Sequence, residues 1–206
     1  MRMNTWDQRF NTIEYVYGEK PNAFIEDYVH YLKDYPNVAA YAEGEGRNAV
    51  FLALQGHTVT AFDYAESGLE KTNQLAEKHN VTVHTKLTDL LQDELPVETF
   101  DAAIMVFGHF PVEQQQGVFK RIVDSVKPGG RIMMELYSIY QLPYDSGGPR
   151  QLDFLYDPLD VLKWCQPYKI IHFLTGEQVR NEGKLHTGLA HTIQIIIEKV
   201  KKEAGN

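Results

Sequence analysis

Residues 42–49 read Ala42-Glu43-Gly44-Glu45-Gly46-Arg47-Asn48-Ala49, and the fold turns on them. A short apolar run, Val38 to Ala42, leads in. An apolar-periodic segment, Asn48 to Gln55, leads out and stops at Gly56. Gly44, Gly46 and Ala49 fit G-x-G-x-x-A, the pattern of a strand that turns tightly into a helix. Gly44 permits the turn, and Gly46 lets the backbone approach a ligand. The next strand, Thr58 to Phe62, ends in Asp63, with Tyr64 beside it. A carboxylate there is placed to accept from both hydroxyls of a ribose. The plainer reading is an ordinary strand-to-helix turn with a surface acid. The order strand, loop, helix, strand, acid favours the nucleotide.

The remaining pattern is mostly strand alternating with helix. Phe24, Ile25, Tyr28, Val29 and Leu32 keep helical spacing until Pro36. Ser67 with Glu70 reads as a capping box, opening a helix that carries Leu69, Leu75 and Ala76 and ends near Asn80. Val81 to Thr85 reads as a third strand. Phe100 to Phe107 is a continuous apolar run, the mark of a strand buried on both faces. Phe119, Ile122, Val123 and Val126 form one helical face, broken by Lys127-Pro128-Gly129-Gly130 before a fifth strand, Arg131 to Tyr137. Asp157-Pro158 opens a helix running to about Cys165, and Ile170 to Leu174 and Thr192 to Val200 read as the last strands. These spacings predict an α/β domain with a doubly wound, mostly parallel sheet and an antiparallel pair at one edge. Residues 1–206 read as a single domain, with chemistry expected beyond the carboxyl ends of the parallel strands.

Composition narrows the function. Lys plus Arg number 20 and Asp plus Glu 28, a net charge of −8 with His neutral. An acidic chain lacks the basic face that displaces phosphate counterions, which argues against nucleic acid as partner. The lone Cys165 suits a reducing compartment. No apolar run approaches the roughly 18–20 residues that span a bilayer, and the polar N-terminus has no signal core. The expectation is a cytoplasmic protein with no membrane partner. Composition leaves the oligomeric state undetermined.

Two ligand classes use this glycine-loop arrangement, dinucleotides and S-adenosylmethionine; a P-loop is excluded because no G-x-x-x-x-G-K-[ST] occurs. Glu43 and Glu45 flank Gly44, and two anions there would repel a pyrophosphate while tolerating a sulfonium with an ammonium group. This tips the choice toward S-adenosylmethionine. In Thr88-Asp89-Leu90, Asp89 is placed either to accept from an adenine amino group or to cap the next segment, and Leu90 to pack on the ring. Phe107-Gly108-His109-Phe110-Pro111, after the fourth strand, would lie against the ligand.

Together, AEGEGRN (42–48), VTAFD (59–63), TDL (88–90), FDAAIMVFGHFP (100–111) and VKPGGRIMMELY (126–137) resemble the class I S-adenosylmethionine-dependent methyltransferases. The resemblance implies a Rossmann-like, seven-stranded sheet whose last strand is antiparallel. WDQRF (6–10), YGEKPN (17–22) and GRN (46–48) resemble, more narrowly, the tellurite-resistance and thiopurine-like small-molecule methyltransferases. In those enzymes the N-terminal segment, here residues 1–20, folds over the cofactor. The resemblance thus implies cofactor contacts from Trp6, Tyr17, Glu43, Gly44, Gly46, Asn48, Asp63, Tyr64, Asp89, Leu90 and Phe107. The family's usual acid at the end of the first strand and its third glycine are missing, with Ala40 and Ala42 in their places and an added acid at Glu43. Glu43 then either holds the methionine ammonium or pairs with Arg47.

Methyl transfer from a sulfonium needs alignment and exclusion of water more than acid–base help. A thiolate or reduced chalcogen oxyanion needs little else; a hydroxyl or protonated amine needs a base. His109 and Tyr137 are the candidate catalytic groups. Tyr140, in an aromatic loop, and Arg180, between the last strands, are candidate acceptor contacts, although Arg180 equally fits a solvated hairpin. His186 and His191 do not form a convincing zinc constellation, so no metal is expected. The leading function is methyl transfer to a small molecule. A non-catalytic cofactor-binding regulator and a dinucleotide oxidoreductase are the alternatives.

Overall fold

The strand Asn37–Tyr41 (β1) is buried on both faces, and its side chains feed two cores alternately. Val38 and Ala40 join Phe24, Ile25, Leu52 and Leu75, whereas Ala39 and Tyr41 join Phe62, Val118, Phe119 and Ile122. This is how a central parallel strand must read, since helices cover both of its sides. In the computed structural model, which describes residues 5–183 and 186–200, seven strands form one sheet. The others are β2 (Thr58–Asp63), β3 (Val83–Leu87), β4 (Phe100–Val106), β5 (Val126–Tyr137), β6 (Lys169–Asn181) and β7 (Thr187–Glu198). The order is β3-β2-β1-β4-β5-β7-β6, parallel from β3 to β5, with β7 antiparallel to both β5 and β6. The doubly wound sheet with an antiparallel edge pair expected from sequence is therefore present.

Helices α2 (Ala23–Tyr28), α3 (Arg47–Leu54) and α4 (Glu66–Lys78) contribute to the first core. Helices α5 (Val112–Ser125) and α6 (Pro158–Cys165) contribute to the second. A short N-terminal helix, α1 (Thr5–Phe10), packs against α4. The chain leaves β1 toward β2 and later returns to β4 on its other side, so the crevice at the carboxyl ends of β1 and β4 is the topological switch point.

Local chemistry explains most element ends. Asn22 caps α2, its side chain accepting from Ile25 N, and Asp157 caps α6 by accepting from Leu159 N, with Pro158 in the first turn. The capping box at Ser67 and Glu70 does not form. Ala65 precedes α4 and Ser67 lies inside its first turn, where its N–H and hydroxyl both donate to the Asp7 carboxylate. A distant side chain thus caps the helix. The segment expected as one helix over 24–32 becomes α2 followed by a 3-10 turn, Val29–Leu32. The third strand begins at Val83, because Val81 N still closes the end of α4 on Ala76 O.

The last two strands are longer than their apolar cores. Tyr137 ends β5 opposite Thr192, yet β6 and β7 stay paired out to Asn181 and Thr187. Their hairpin tip therefore overhangs the carboxyl edge of the sheet.

Candidate functional site

The glycine loop gathers backbone strain and buried carboxylates at the switch point. Ala42, Gly44 and Gly46 all have positive φ, at 51°, 63° and 88°. At Ala42 a side-chain-bearing residue holds a conformation that glycine adopts more easily. Gly46 precedes α3, and a Cβ there would lie 2.6 Å from Thr72 Oγ1. Close helix packing, rather than ligand approach, demands glycine at this position.

The two glutamates of the loop have different tasks. Glu43 accepts from Asn48 N (2.9 Å) and Ala49 N (2.7 Å), so its carboxylate caps α3. Burial pushes its pKa up to about 7, against these hydrogen bonds and the nearby Arg47. The direct Arg47 pair considered from sequence is not formed, because Arg47 Nη1 binds Glu182 at 2.7 Å. Glu45 pairs with Lys71 at 2.6 Å and accepts from Val16 N and Tyr17 N. Its charge is thus neutralised, and of the two anions expected to repel a pyrophosphate only Glu43 lacks a partner cation at ion-pair distance.

Asp63 accepts from Gly44 N (2.8 Å) through one oxygen and from Ala65 N (2.8 Å) through the other. Burial raises its pKa to about 6. An ionised carboxylate offers about four acceptor positions, so with the Tyr64 amide also on it some acceptor capacity remains for a ligand. Asp89 takes the capping role, accepting from Leu91 N and Gln92 Nε2. Tyr64 is exposed, and Leu90 is buried.

Glu43 sets up a pH test. Its carboxyl is harder to ionise folded than unfolded, so its contribution to stability falls as pH rises from about 5 to about 7.5 and is level above. Glu43→Gln keeps an acceptor without the charge. Its melting temperature relative to wild type is expected to rise across that window, read by calorimetry from about pH 5 to about 8.5. A difference independent of pH would contradict the assignment.

The other wall is aromatic. Trp6 lies 5.6 Å from Phe10, 6.5 Å from Tyr17 and 6.0 Å from His109, centroid to centroid. Arg9 sits over the Trp6 ring at 4.5 Å and donates to Tyr17 OH at 2.9 Å. Asp7 on Ser67, and Lys71 on Glu14 O at 2.6 Å, tie this N-terminal strap down. From the overhanging hairpin comes His186, its ring 4.4 Å from Tyr17 and 4.9 Å from Phe107. Phe107 itself has φ 54°.

These walls enclose a cleft of about 1090 Å³, counted to its solvent mouth. Trp6, Tyr17, Glu43, Gly44, Asn48, Asp63, Tyr64, Asp89, Leu90, Phe107 and His109 all line it. Gly46 does not line the cleft and stands beneath the loop against Thr72. Three other residues fall outside. Tyr137 is buried behind Phe107, stacked on it at 4.2 Å, and burial pushes its phenol well above the usual range, which unfits it for proton transfer near neutrality. Tyr140 is exposed and packs on His191. Arg180 is neither solvated nor in the cleft; it is buried between Glu135 and Glu182. Phe10 lines it with Trp6 and Tyr17, whereas Arg47 and His186 are lining residues that sequence reasoning missed. Among the described residues no group of three or more His, Cys, Asp or Glu is arranged to hold a metal ion, and no helix is long and apolar enough to cross a membrane.

Comparison with known proteins agrees with this geometry. Residues 38–130 match a family described as a methyltransferase domain. The chain is 27% identical over 146 residues to the probable S-adenosyl-L-methionine-dependent methyltransferase TehB of Haemophilus influenzae, covering 69% of this chain and 48% of that one. It spans about half the length of the curated relatives it matches. The crystal structure of Haemophilus influenzae TehB superposes with a TM-score of 0.70 at 18% identity, over 94% of this chain and 65% of that one. A structure concerned with conversion of a disulfide bond into a thioacetal group during echinomycin biosynthesis superposes at 0.72 with 16% identity, over 99% and 94%.

Proposed function

We propose that this chain, a class I S-adenosylmethionine-dependent methyltransferase that resembles TehB, methylates a small soft nucleophile, a thiol or a chalcogen oxyanion. The observation that carries this reading is the cleft itself. Its floor brings Glu43, Asp63, Asp89 and Leu90 together at the switch point, and its roof is the aromatic strap. The donor set fits the cofactor: Asp63 keeps acceptor capacity toward a ribose, and Glu43 is a carboxyl whose ionised form an ammonium would favour. Bound there, S-adenosylmethionine supplies a methyl group on a cationic sulfur; the acceptor's electron pair forms the new bond to carbon while the C–S pair returns to sulfur.

The protein's residues align and dehydrate. Asp63 and Tyr64 hold the ribose end, with Asp89 and Leu90 at the base. Trp6, Phe10 and Tyr17 exclude water. His109 stays neutral, since burial and Arg9 lower its pKa to about 4. A poor base suits a nucleophile that ionises without help. The small acceptor is the expected partner, and nucleic acid is not.

Calorimetric titration tests the cofactor assignment. S-adenosylhomocysteine is expected to bind and NADH not to. Asp63→Ala should weaken binding about 10- to 100-fold, the worth of a charge-assisted pair of hydrogen bonds. Binding of NADH alone would overturn the reading, and unchanged affinity would remove Asp63 from the ribose site.

Of the covering segment 1–20, residues 1–4 lie outside the described residues, and residues 5–20 act as a cover within the one domain. Amide exchange in residues 5–17 should slow when S-adenosylhomocysteine is added, as native-state ligands suppress local opening. Exchange there that ignores ligand while the glycine loop gains protection would reduce the strap to ordinary packing.

A further inference from the structure

Three buried polar atoms in one corner of the molecule have no hydrogen-bond partner among the described residues: His109 Nδ1, His186 Nδ1 and Tyr137 OH. Their rings are neighbours, with the Tyr137 centroid 6.1 Å from that of His109 and 5.8 Å from that of His186. Unsatisfied buried groups are rare in native proteins and costly, and three together need an explanation. Two of the three belong to residues that line the cleft, and His186 is only 5% exposed. His109 follows β4, and His186 is carried in by the hairpin overhang.

The corner is held rigidly. Glu182, four residues before His186, binds Arg47 and accepts from Asn22 Nδ2 and Ala23 N. Asn22 N in turn donates to Asn48 Oδ1. Gly183 packs against the strap so closely that a Cβ there would lie 2.5 Å from the Tyr17 carbonyl carbon. Glycine loop, strap and hairpin tip are thus joined by buried polar contacts, and the imidazoles are pre-positioned.

Resting on the methyltransferase reading above, we propose that His186 and His109 form a hydrogen-bonding clamp for the acceptor, which selects small nucleophiles bearing an oxygen on the reacting atom or within two carbons of it over bare alkyl thiols. A neutral imidazole has one donor nitrogen and one acceptor nitrogen, so the pair can serve an oxyanion or a hydroxyl. A bare thiol pairs with them only weakly, and a site built around polar groups disfavours analogues that pair poorly with them. His186 and His109 act here as positioning residues, not bases.

The test uses His186→Phe in the full chain. Phenylalanine keeps a ring against Tyr17 and Phe107 but removes both nitrogens. Acceptor binding is measured by titration calorimetry on protein saturated with S-adenosylhomocysteine, using selenite, 2-mercaptoethanol and ethanethiol. The ratio of selenite to ethanethiol dissociation constants, and of 2-mercaptoethanol to ethanethiol, should rise about 10-fold. In turnover the same change should fall on KM rather than kcat. His186→Gln, which restores a donor and an acceptor, should recover most of the preference. Ratios within about 2-fold of wild type in a folded His186→Phe protein, or a Gln variant no better than Phe, would overturn the clamp. Failure of wild-type protein to bind S-adenosylhomocysteine would instead remove the methyltransferase reading, and the clamp with it.

Discussion

Glu135→Ala is expected to lower the free energy of unfolding by about 3–5 kcal/mol, the range for breaking a buried ion pair. Glu135 is fully buried on β5 and receives Arg180 Nη2, Asn22 Nδ2 (2.7 Å), Thr192 Oγ1 (3.1 Å) and Gln194 Nε2 (2.8 Å). Alanine would leave those donors without their shared acceptor. Among the described residues Arg180 would keep only the longer contacts to Glu182 and to Thr192 Oγ1, both at 3.4 Å. Urea denaturation followed by circular dichroism measures the loss. The double variant Glu135→Leu/Arg180→Leu should recover part of it, since an apolar pair carries no uncompensated charge. A loss under about 1 kcal/mol for Glu135→Ala would mean that water solvates Arg180 and that the hairpin tip is not fixed by this cluster.

Gly46→Val should be as damaging and should abolish cofactor binding. With φ at 88°, an L side chain is strained by about 1–3 kcal/mol. Its Cβ would sit 2.7 Å from Thr72 Cα, and such overpacking costs a further 1–3 kcal/mol or so. Relief requires α3 and α4 to part, which shifts Glu43 from the α3 amides. The affinity for S-adenosylhomocysteine should fall more than about 100-fold, with a lower urea midpoint. Gly117→Ala is the contrast. Gly117 lies within α5, and the space a Cβ would take there is open, so about 0.5–1 kcal/mol of stabilisation is expected. Near-normal ligand binding by Gly46→Val would contradict the packing role of this glycine.

The sheet is legible in the sequence because the central parallel strands β1 and β4 are apolar runs buried on both faces, and because glycine loop, Asp63 and the Thr88-Asp89-Leu90 turn follow their strands at fixed offsets. The floor of the cleft is legible for the same reason. What sequence does not show is pairing across long separations. Glu45 looks like a free anion until Lys71 is brought beside it, and Arg47 looks like a partner for its neighbour Glu43 until the hairpin delivers Glu182. His186 reads from sequence only as a weak metal-ligand candidate. Its place depends on the register Tyr137 to Thr192, which makes the hairpin overhang. One signal is present: Glu135 is the sole charge in an otherwise apolar stretch, Ile132 to Tyr137, and a buried acid requires buried partners. Tyr140 and Arg180 stand out by residue type and position alone, and burial separates them, one outward and one into the charge cluster.

Methyl transfer from this cleft to a small soft nucleophile, as proposed, is tested by incubation of the protein with methyl-labelled S-adenosylmethionine and a panel of thiol, selenite, tellurite, phenol and amine acceptors, followed by separation of the products. Label is expected on a thiol or chalcogen oxyanion, with one S-adenosylhomocysteine formed per methyl transferred and a pH profile that follows ionisation of the acceptor. Label on phenol or amine alone would contradict the soft-nucleophile assignment, and bound cofactor with no label on any acceptor would make the protein a binder rather than an enzyme.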